Sequence, residues 1–453
     1  MEYVSTRNDN ETYTSEQVLN LGLAPDGGLF VPKEFPKFTH EEILSLKNKD
    51  FKSIAFIILE KFLLDLFTSS EIKIMIDQAY EKFDEGVTST TDLGDITLLN
   101  LFHGPTLAFK DYAMCLLAKM YEFYLKKNNQ SLVVIGATSG DTGSAAIHAF
   151  QNLKNIKICI LHPHKGTSQF QRKQMTTTGS DNVFNIALEG SFDDCQSIVK
   201  RAFNDIDLTK NQSFTAVNSI NWFRILPQTI YYAWALSNNN FSSFVVPTGN
   251  FGNIYAAYIL KKMGFPIEDL VIATNENNIL HRFISGNDLS IKKVLKTNSP
   301  SMDIVISSNF ERLIYDFIGP EKTKELFSNI TKKSNDFLIE EEIHKKIQQF
   351  FKSGMATSLQ VVDEIKKTYE VNQVILDPHT AVGVSVARSL NFKNICSLAC
   401  AHPVKFQETV IESIGEDKSM FDKTLNFMNS ERYDILDNDY DLFKKYIIEN
   451  AQS

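Results

Sequence analysis

Residues 134–146 read VIGATSGDTGSAA and contain the pattern that decides the fold class. An apolar run enters a turn of glycine, serine and threonine, and a helix of small residues is expected to follow. Comparable apolar runs, most of them followed by a helix-length periodic stretch, occur at residues 132–135, 156–161, 183–188, 244–246, 271–273, 374–376 and 395–399. This alternation of strands and helices predicts an α/β protein with a mostly parallel sheet.

Length, charge and composition limit the class of protein. A chain of 453 residues exceeds one core and suggests about three domain-sized units. Its net charge of −9 argues against nucleic acid or an anionic membrane as a partner. The start of the chain lacks the features of a secretory signal, and no apolar run has the roughly 20 residues of a membrane span. With five scattered cysteines and no CxxC pair, we expect a cytoplasmic protein without a metal site.

The turn within residues 134–146 is the first candidate site. It contains Thr138, Ser139, Gly140, Asp141 and Thr142. The first N–H groups of a helix have no intrahelical acceptor, so such a turn can hold a carboxylate or a phosphate. The alternative is a capped turn whose polar side chains bond only the backbone.

A second junction reads VVPTGNFGN at residues 245–253. Gly249 and Gly252 allow a ligand to approach the backbone closely at the start of a helix. The stretch has neither the Gly-Lys-Ser/Thr end of a Walker A loop nor GxGxxG spacing. It therefore favours a single phosphate group over a dinucleotide, with a tight strand-to-helix turn as the alternative.

The third junction, residues 101–111, reads LFHGPTLAFKD. Lys110 lies between Phe109 and a helix with many apolar positions. Apolar surroundings disfavour the charged form of a lysine and leave a neutral amine that can form a Schiff base. The alternative is an exposed lysine in the first turn of a helix, with its stem along the surface.

In chain order, these stretches resemble the signatures of the threonine synthase family. Residues 102–111 resemble its cofactor-lysine signature, residues 137–143 its Thr-Ser-Gly-Asp-Thr-Gly loop, and residues 247–253 its phosphate cup. Further similar stretches are residues 3–7, 22–32, 218–222, 377–383 and 401–406. The resemblance thus extends from residue 3 to residue 406.

This resemblance implies a fold and an activity. The fold would be type II of the pyridoxal phosphate enzymes, with two open, mostly parallel α/β units and helices on both faces. We expect a mainly helical N-terminal domain at residues 1–90, with helices near 53–67 and 70–83, a catalytic region at 91–425 and an acidic helical segment at 426–453. The enzyme would use pyridoxal 5'-phosphate to convert O-phospho-L-homoserine and water into L-threonine and phosphate.

Site residues follow from the same resemblance. Lys110 would be the catalytic residue and would bind the cofactor aldehyde. The cofactor phosphate would be bound by Gly249, Asn250, Phe251, Gly252 and Asn253. Residues beside the substrate amino acid and its carboxylate would be Thr138, Ser139, Gly140, Asp141 and Thr142. Candidates for the substrate phosphate are Thr6, Arg7, Asn221, Arg224 and Lys405, and the sequence does not decide which of them converge.

Cys400 is a departure from the family pattern, which usually has threonine before the Ala-His-Pro stretch. In the family, the threonine hydroxyl meets the pyridine nitrogen of the cofactor. A thiol is a weaker donor than a hydroxyl, and neither group protonates the ring as a carboxylic acid would. Our hypothesis is that Cys400 leaves the pyridine largely neutral.

Three alternative functions remain open. A phospho-lyase would share the early steps and release 2-oxobutyrate and ammonia. A non-catalytic protein that binds pyridoxal phosphate is disfavoured by the presence of Lys110, and a dinucleotide-binding oxidoreductase by the missing GxGxxG spacing. The sequence does not decide between a monomer and a homodimer.

Overall fold

The computed structural model describes residues 1–138, 140–165, 168–210, 213–331, 338–392, 394–415 and 430–451. Within these ranges, no helix combines the length and the apolar composition that crossing a bilayer requires.

The N-terminal part combines a small antiparallel sheet with four helices. Its strands are β1 (Glu2–Ser5), β2 (Asn8–Thr14) and β3 (Phe30–Pro32), with β1 in the middle. Its helices are α1 (Ser15–Leu21), α2 (His40–Leu44), α3 (Phe51–Leu63) and α4 (Ser69–Ala79). Thr14, Thr39 and Thr68 start three of these helices with capping boxes. The two predicted helices correspond to α3 and α4, but the sequence pattern does not predict the sheet, because β2 is almost entirely polar and exposed.

The rest of the chain alternates strands with helices. The strands are β4 (Ser89–Asp92), β5 (Ile96–Asn100), β6 (Leu132–Ala137), β7 (Ile156–Pro163), β8 (Val183–Glu189), β9 (Ser213–Ala216), β10 (Ser243–Pro247), β11 (Leu270–Thr274), β12 (Phe351–Met355), β13 (Ile395–Ala399) and β14 (Asp434–Asp437). The helices are α5 (Lys110–Asn128), α6 (Asp141–Phe150), α7 (Gln169–Thr176), α8 (Phe192–Asn204), α9 (Ile206–Thr209), α10 (Trp222–Ile225), α11 (Gln228–Asn238), α12 (Gly252–Lys262), α13 (Ile279–Gly286), α14 (Phe310–Thr331), α15 (Glu341–Gln348), α16 (Ser358–Asn372), α17 (Pro378–Ser389), α18 (Gln407–Ile414) and α19 (Tyr440–Asn450). Short 3-10 turns are formed by Pro300–Met302 and Pro403–Phe406.

These strands form two open sheets. The larger sheet has the order β12-β11-β10-β13-β5-β4, and the smaller one has the order β14-β8-β7-β6-β9. Every pair of neighbouring strands is parallel except β4 with β5. The predicted α/β class with mostly parallel sheets is confirmed.

Both faces of each sheet are covered. In β10, Val245 packs into one apolar cluster, while Phe244 and Val246 pack into another on the opposite face. In β6, Val133 and Val134 likewise belong to different clusters. One of these clusters reaches from both sheets into the N-terminal part. Strands that are buried on both faces read as continuous apolar runs, which is why the sequence identifies them.

Two predictions about secondary structure are wrong. Residues 374–376 form no strand; Leu376 packs into the core just before Asp377 caps α17. The described part of the acidic C-terminal segment is not only helical, because β14 pairs in parallel with β8 at the edge of the smaller sheet. An edge strand needs only backbone partners, so its polar sequence gives little signal of pairing.

The carboxyl ends of the central strands bring the three candidate junctions together. The chain continues from β5 to Lys110, from β6 to Asp141, from β10 to Gly249 and from β13 to Cys400. In open parallel sheets, ligands bind outside the carboxyl ends of the strands. The candidate site therefore lies where these ends of the two sheets face each other.

Candidate active site

Lys110 is the first residue of α5 and follows a loop that its neighbour Asp111 holds in shape. The buried Asp111 carboxylate accepts the backbone N–H of Thr106 at 2.8 Å and its hydroxyl at 2.6 Å. Burial raises the pKa of Asp111 to about 6. Gly104 is needed beside this carboxylate, since a Cβ there would lie 2.5 Å from an Asp111 oxygen. The loop thus sets the position from which the Lys110 side chain extends.

The Lys110 amine contacts two polar groups. Its Nζ atom lies 3.4 Å from Oδ2 of Asp141 and 3.5 Å from the hydroxyl of Ser301. Burial is the main factor that lowers the pKa of Lys110, and Asp141 opposes it. The positive charges of Lys405 and Arg224 lower this pKa further. The amine is therefore easier to deprotonate than an exposed lysine.

Asp141 begins α6 and is the acidic centre of the site. Its Oδ1 accepts from the Gln171 amide at 2.8 Å and faces Nζ of Lys405 at 3.1 Å. Burial alone would raise the pKa of Asp141, but Lys405 and Lys110 outweigh burial and hold this pKa well below its usual range. Asp141 is therefore an ionised carboxylate between two amines. We call Lys110, Asp141 and Lys405 the charged cluster.

Lys405 has no exposed side-chain surface. Besides Asp141, its Nζ donates to the Thr106 carbonyl at 2.7 Å and to Oε1 of Gln174 at 3.0 Å. The three donors of this ammonium group thus have three protein acceptors. In this arrangement Lys405 neutralises the charge of Asp141 and binds the loop before Lys110 through the Thr106 carbonyl.

The turn before α6 is organised around Thr138. Its hydroxyl accepts the N–H groups of Gly140 at 3.0 Å and of Gly143 at 2.9 Å. Gly140 lies against Gln171, with room for no side chain, and Thr142 is half-buried in the first helical turn. Ser139, also predicted as a substrate contact, lies outside the described residues.

Residues 249–253, which we call the glycine-rich turn, join β10 to α12. Phe251 adopts a left-handed conformation with φ of 66° immediately before the helix. Asn253 is buried, and its Oδ1 accepts the hydroxyl groups of Tyr231 at 2.6 Å and Tyr232 at 2.7 Å. Its Nδ2 is buried without a hydrogen-bond partner among the described residues. An unused amide donor beside a helix start fits an anionic group such as a phosphate.

Ser301 connects the glycine-rich turn with the charged cluster. Its hydroxyl donates to Oδ2 of Asp141 at 3.3 Å, and its carbonyl would lie 3.0 Å from a Cβ on Gly249. Its N–H donates to Nε2 of His379 at 3.1 Å, and Nδ1 of His379 lies 3.0 Å from Asp377. Since Nε2 accepts, the contacts assign the ring proton of His379 to Nδ1.

The predicted partners of the substrate phosphate do not all converge. Thr6 and Arg7 both bind Glu311: the Thr6 hydroxyl lies 2.7 Å away, and Arg7 makes two contacts of 2.8 Å. Asn221 caps α10 by accepting the N–H of Phe223. None of these contacts involves a residue of the charged cluster.

Arg224 differs from the other cations. It is 4% exposed, and its NH1 donates to the Val217 carbonyl at 2.8 Å. Its buried Nε has no partner, and no carboxylate of the described residues forms an ion pair with it. Burial lowers the pKa of Arg224 to about 10, and the positive charge of Arg224 contributes to the lowered pKa of Lys110. A buried guanidinium without a carboxylate is suited to receive an anionic ligand.

Cys400 follows β13 at the edge of the site. Its carbonyl accepts the N–H of Phe109 at 2.9 Å, so it is tied to the residue before Lys110. Its own N–H donates to the Thr380 hydroxyl at 3.0 Å. Burial raises the pKa of Cys400 well above the usual value, and the group is a neutral thiol.

Sequence reasoning did not identify Ser301, Gln171 and Gln174 as site residues. They lie on a short 3-10 turn and on α7, far along the chain from Lys110 and Asp141. No glycine-rich or strand-end pattern marks them. His379 follows an Asp-Pro pair in one of the stretches that resemble the family, and that position was the only available signal.

Three family models match successive parts of the chain. Residues 2–80 match the model for the threonine synthase N terminus. Residues 88–324 match the model for pyridoxal-phosphate dependent enzymes, and residues 380–447 match the model for the threonine synthase C-terminal part.

Individual proteins are similar over nearly the full length. A threonine synthase of Pseudomonas aeruginosa is 42% identical over 421 residues, which cover 90% of each chain. The crystal structure of a threonine synthase from Brucella melitensis with bound pyridoxal phosphate has a TM-score of 0.94 at 39% identity and covers 100% of both chains. The yeast threonine synthase structure has a TM-score of 0.92 at 36% identity, covering 100% of this chain and 99% of the yeast chain.

Proposed function

Because the chain belongs to the threonine synthase family of pyridoxal-phosphate-dependent enzymes, we propose that it converts O-phospho-L-homoserine and water into L-threonine and phosphate. Its activity is threonine synthesis and its cofactor is pyridoxal 5'-phosphate. The proposal concerns the substrate and the residues that act on it. The observation that carries it is the buried Lys110 amine, which contacts Asp141 and Ser301 and whose pKa is also lowered by the positive charge of Arg224.

The chain's residues fit the cofactor. Lys110 offers a buried amine with a lowered pKa, and the glycine-rich turn offers a helix start and the free amide of Asn253. The proposed phosphate ligands are Gly249, Asn250, Phe251, Gly252 and Asn253. Bound pyridoxal phosphate supplies an aldehyde that links to amines and a ring that withdraws electrons from the carbons beside that link.

Lys110 is the proposed catalytic base and acid. Only a neutral amine can attack an aldehyde or accept a proton, and the lowered pKa of Lys110 increases the neutral share at a given pH. The same amine can remove a proton from one substrate carbon and return it to another. Overall, phosphate leaves the γ carbon and water adds at the β carbon.

Asp141 and Lys405 hold the Lys110 amine in place rather than binding the substrate. Both oxygens of the ionised Asp141 are already engaged, Oδ1 by Gln171 and Lys405 and Oδ2 by Lys110 and Ser301. A second carboxylate placed against Asp141 would be repelled by its negative charge. We therefore assign the substrate carboxylate to the start of α6, at Gly140 and Thr142, and keep Ser139 as an untested candidate. Thr138 shapes this turn from within.

Arg224 is the proposed partner of the substrate phosphate. Lys405 is saturated by protein acceptors and Arg7 is paired with Glu311, whereas Arg224 has a free buried donor. A planar guanidinium also matches the geometry of a phosphate. Thr6, Arg7 and Asn221 are more simply structural.

An assay of the purified protein tests the function. With O-phospho-L-homoserine as substrate, phosphate and threonine should appear in equal amounts. L-Homoserine, which lacks the phosphate leaving group, is the matched control and should give no threonine. Release of 2-oxobutyrate and ammonia in place of threonine would overturn the proposal in favour of the phospho-lyase.

A cytoplasmic location is also proposed, because the few, scattered cysteines do not form the framework of an exported protein. Fractionation of cells that express the tagged chain tests this point, and recovery outside the cytoplasm would contradict it.

A further inference from the structure

A set of polar side chains lies behind the glycine-rich turn. Ser307 and Asn309 lie just before the start of α14, and Arg312 lies in its first turn. All three are buried, and Asn309 and Arg312 have no exposed surface. We call these three residues the brace.

The brace bonds to backbone carbonyls of the turn. The Ser307 hydroxyl donates to the Gly249 carbonyl. Both the N–H and the Nδ2 of Asn309 donate to the Asn250 carbonyl at 3.1 Å. Two successive carbonyl groups of the turn are therefore bound on the same side.

Peptide geometry gives these bonds a consequence for the opposite side. In a planar trans peptide, the carbonyl oxygen and the following N–H point in opposite directions. Holding the Gly249 carbonyl therefore directs the N–H of Asn250, and holding the Asn250 carbonyl directs the N–H of Phe251. Both N–H groups are thereby set away from the brace before any ligand arrives.

Gly252 gives Asn309 the room to reach the turn. A Cβ on Gly252 would lie 3.3 Å from Nδ2 of Asn309, closer than an ordinary contact. A side chain at Gly252 would therefore crowd Asn309, whether or not a ligand also approaches the backbone there.

Arg312 connects the brace to other parts of the chain. Its NH1 donates to Oδ1 of Asn309, its Nε to the Phe30 carbonyl at 2.9 Å and its NH2 to the Ile220 carbonyl at 2.6 Å. The Asn309 amide is therefore fixed in orientation, with its oxygen on Arg312 and its nitrogen on Asn250. The fixed amide can hold the turn without moving when a ligand binds.

We propose that Ser307 and Asn309 are positioning residues, which preset the backbone N–H groups of the glycine-rich turn for the phosphate of the cofactor. The inference rests on the proposed role of this turn in binding that phosphate. Neither side chain needs to touch the cofactor, because each acts through a carbonyl of the turn.

The test compares two ligands that differ only in the phosphate. After the cofactor is dialysed out of the full chain, dissociation constants for pyridoxal 5'-phosphate and for pyridoxal are measured by absorbance titration. The variants are Ser307→Ala and Asn309→Ala. Ser308→Ala is the matched control, because Ser308 bonds the Asn250 side chain at 3.3 Å and not a turn carbonyl.

In Ser307→Ala, affinity for pyridoxal 5'-phosphate should fall about two- to tenfold, the usual range for one lost hydrogen bond. Asn309→Ala removes the Nδ2 bonds to the Asn250 and Ser219 carbonyls and the Oδ1 acceptor of Arg312, while its backbone N–H still binds the Asn250 carbonyl, so the same affinity should fall at least as much. Affinity for pyridoxal should change by less than about twofold, and the control should keep both affinities. Loss of a brace bond thus lowers the preference for the phosphorylated ligand. If Asn309→Ala does not fold, Ser307→Ala decides the test, because it removes a single hydroxyl.

Equal losses for the two ligands, or no loss for either, would overturn the inference. A wild-type chain with no preference for the phosphorylated ligand would overturn the role of the turn together with the brace. A wild type that prefers this ligand but makes no threonine contradicts the proposed function alone. Binding and threonine formation, measured together, therefore separate the role of the brace, the role of the glycine-rich turn and the proposed function.

Discussion

The two sides of the candidate site are built from different chemistry. In the charged cluster, Nζ of Lys110 lies 3.4 Å from one oxygen of Asp141, and Nζ of Lys405 lies 3.1 Å from the other. The glycine-rich turn is held by neutral groups, through the Ser307 and Asn309 bonds and the Tyr231 and Tyr232 hydroxyls on Asn253. Opposite charges hold the first side together, and hydrogen bonds from neutral groups hold the second.

This difference matches the task of each side. Where protons must move, nearby charges set the pKa of the amine, and small changes in charge alter its protonation. Where a cofactor phosphate must stay bound, fixed N–H dipoles hold the anion without a titrating partner. Changes on the charged side should therefore alter rates and pH dependence, and changes on the neutral side should alter affinity.

Lys110→Ala should have the largest effect on the charged side. Without the amine, threonine formation should fall by at least about 10³-fold, since both the cofactor link and the acid–base group are lost. The absorbance band of the lysine–cofactor link should also disappear. Lys119→Ala is the control, because Lys119 lies on the same helix and pairs with Glu122 outside the charged cluster. Turnover in Lys110→Ala comparable to that of the control would sink the assignment.

Arg224→Gln should have the next largest effect. Loss of the guanidinium should raise KM for O-phospho-L-homoserine by about 10- to 100-fold, the range for a hydrogen bond to a charged group. Arg7→Gln is the matched comparison: it breaks the pair with Glu311 and should lower the free energy of unfolding by about 1–3 kcal/mol while KM stays the same. Steady-state kinetics and urea unfolding of both variants check this. The opposite pattern would assign the phosphate to Arg7.

Asp141→Asn should change the pH dependence of cofactor attachment. Attachment needs neutral Lys110, so its rate rises with pH and levels off above the pKa of Lys110. Asp141 raises this pKa, so its loss should move the midpoint to lower pH. Stopped-flow mixing of the cofactor-free chain with pyridoxal phosphate measures the midpoint. Gln171→Ala removes only a neutral partner of Asp141 and should shift it less; a shift to higher pH in Asp141→Asn would contradict the electrostatic account.

Cys400→Thr should have the smallest effect. Burial keeps the thiol neutral, and threonine replaces it with a neutral hydroxyl, so turnover and the cofactor spectrum should change only a few-fold. A large spectral change would show that the thiol, or its thiolate, sets the state of the pyridine ring. Spectra of the two loaded proteins at matched pH make the comparison.

Much of the fold could be predicted from local patterns. Buried parallel strands such as β6, β7 and β13 are apolar on both faces, and this makes them visible in the sequence. The edge strand β14 and the polar strand β2 depend on backbone pairing and were not predicted. In the apolar run at 374–376, Leu376 is buried and its two neighbours are half-buried, without strand pairing, because an apolar run alone does not distinguish a strand from a packed loop. The domain boundaries stay predictions.

The candidate site also contains residues that local sequence patterns predict and residues that they do not. Lys110 and the glycine-rich turn carry local signals, namely an apolar setting and glycines at a helix start. Ser301 and Gln171 carry none, because their role depends only on where a distant 3-10 turn and α7 come to lie. The resemblance to the family indicated the roles of these motifs, and the contacts in the structure identified the residues around them.

The sequence by itself determined the α/β class, the three junctions and the residues that could meet a phosphate. Only the tertiary structure separated Arg7, Lys405 and Arg224, which are all cations in or next to stretches that resemble the family. Arg7 pairs with Glu311, Lys405 is surrounded by three acceptors, and the buried Nε of Arg224 has no hydrogen-bond partner among the described residues. The physical reason is that a charge is a property of the residue, whereas its neutralisation depends on groups far away in the chain that folding brings within hydrogen-bond distance.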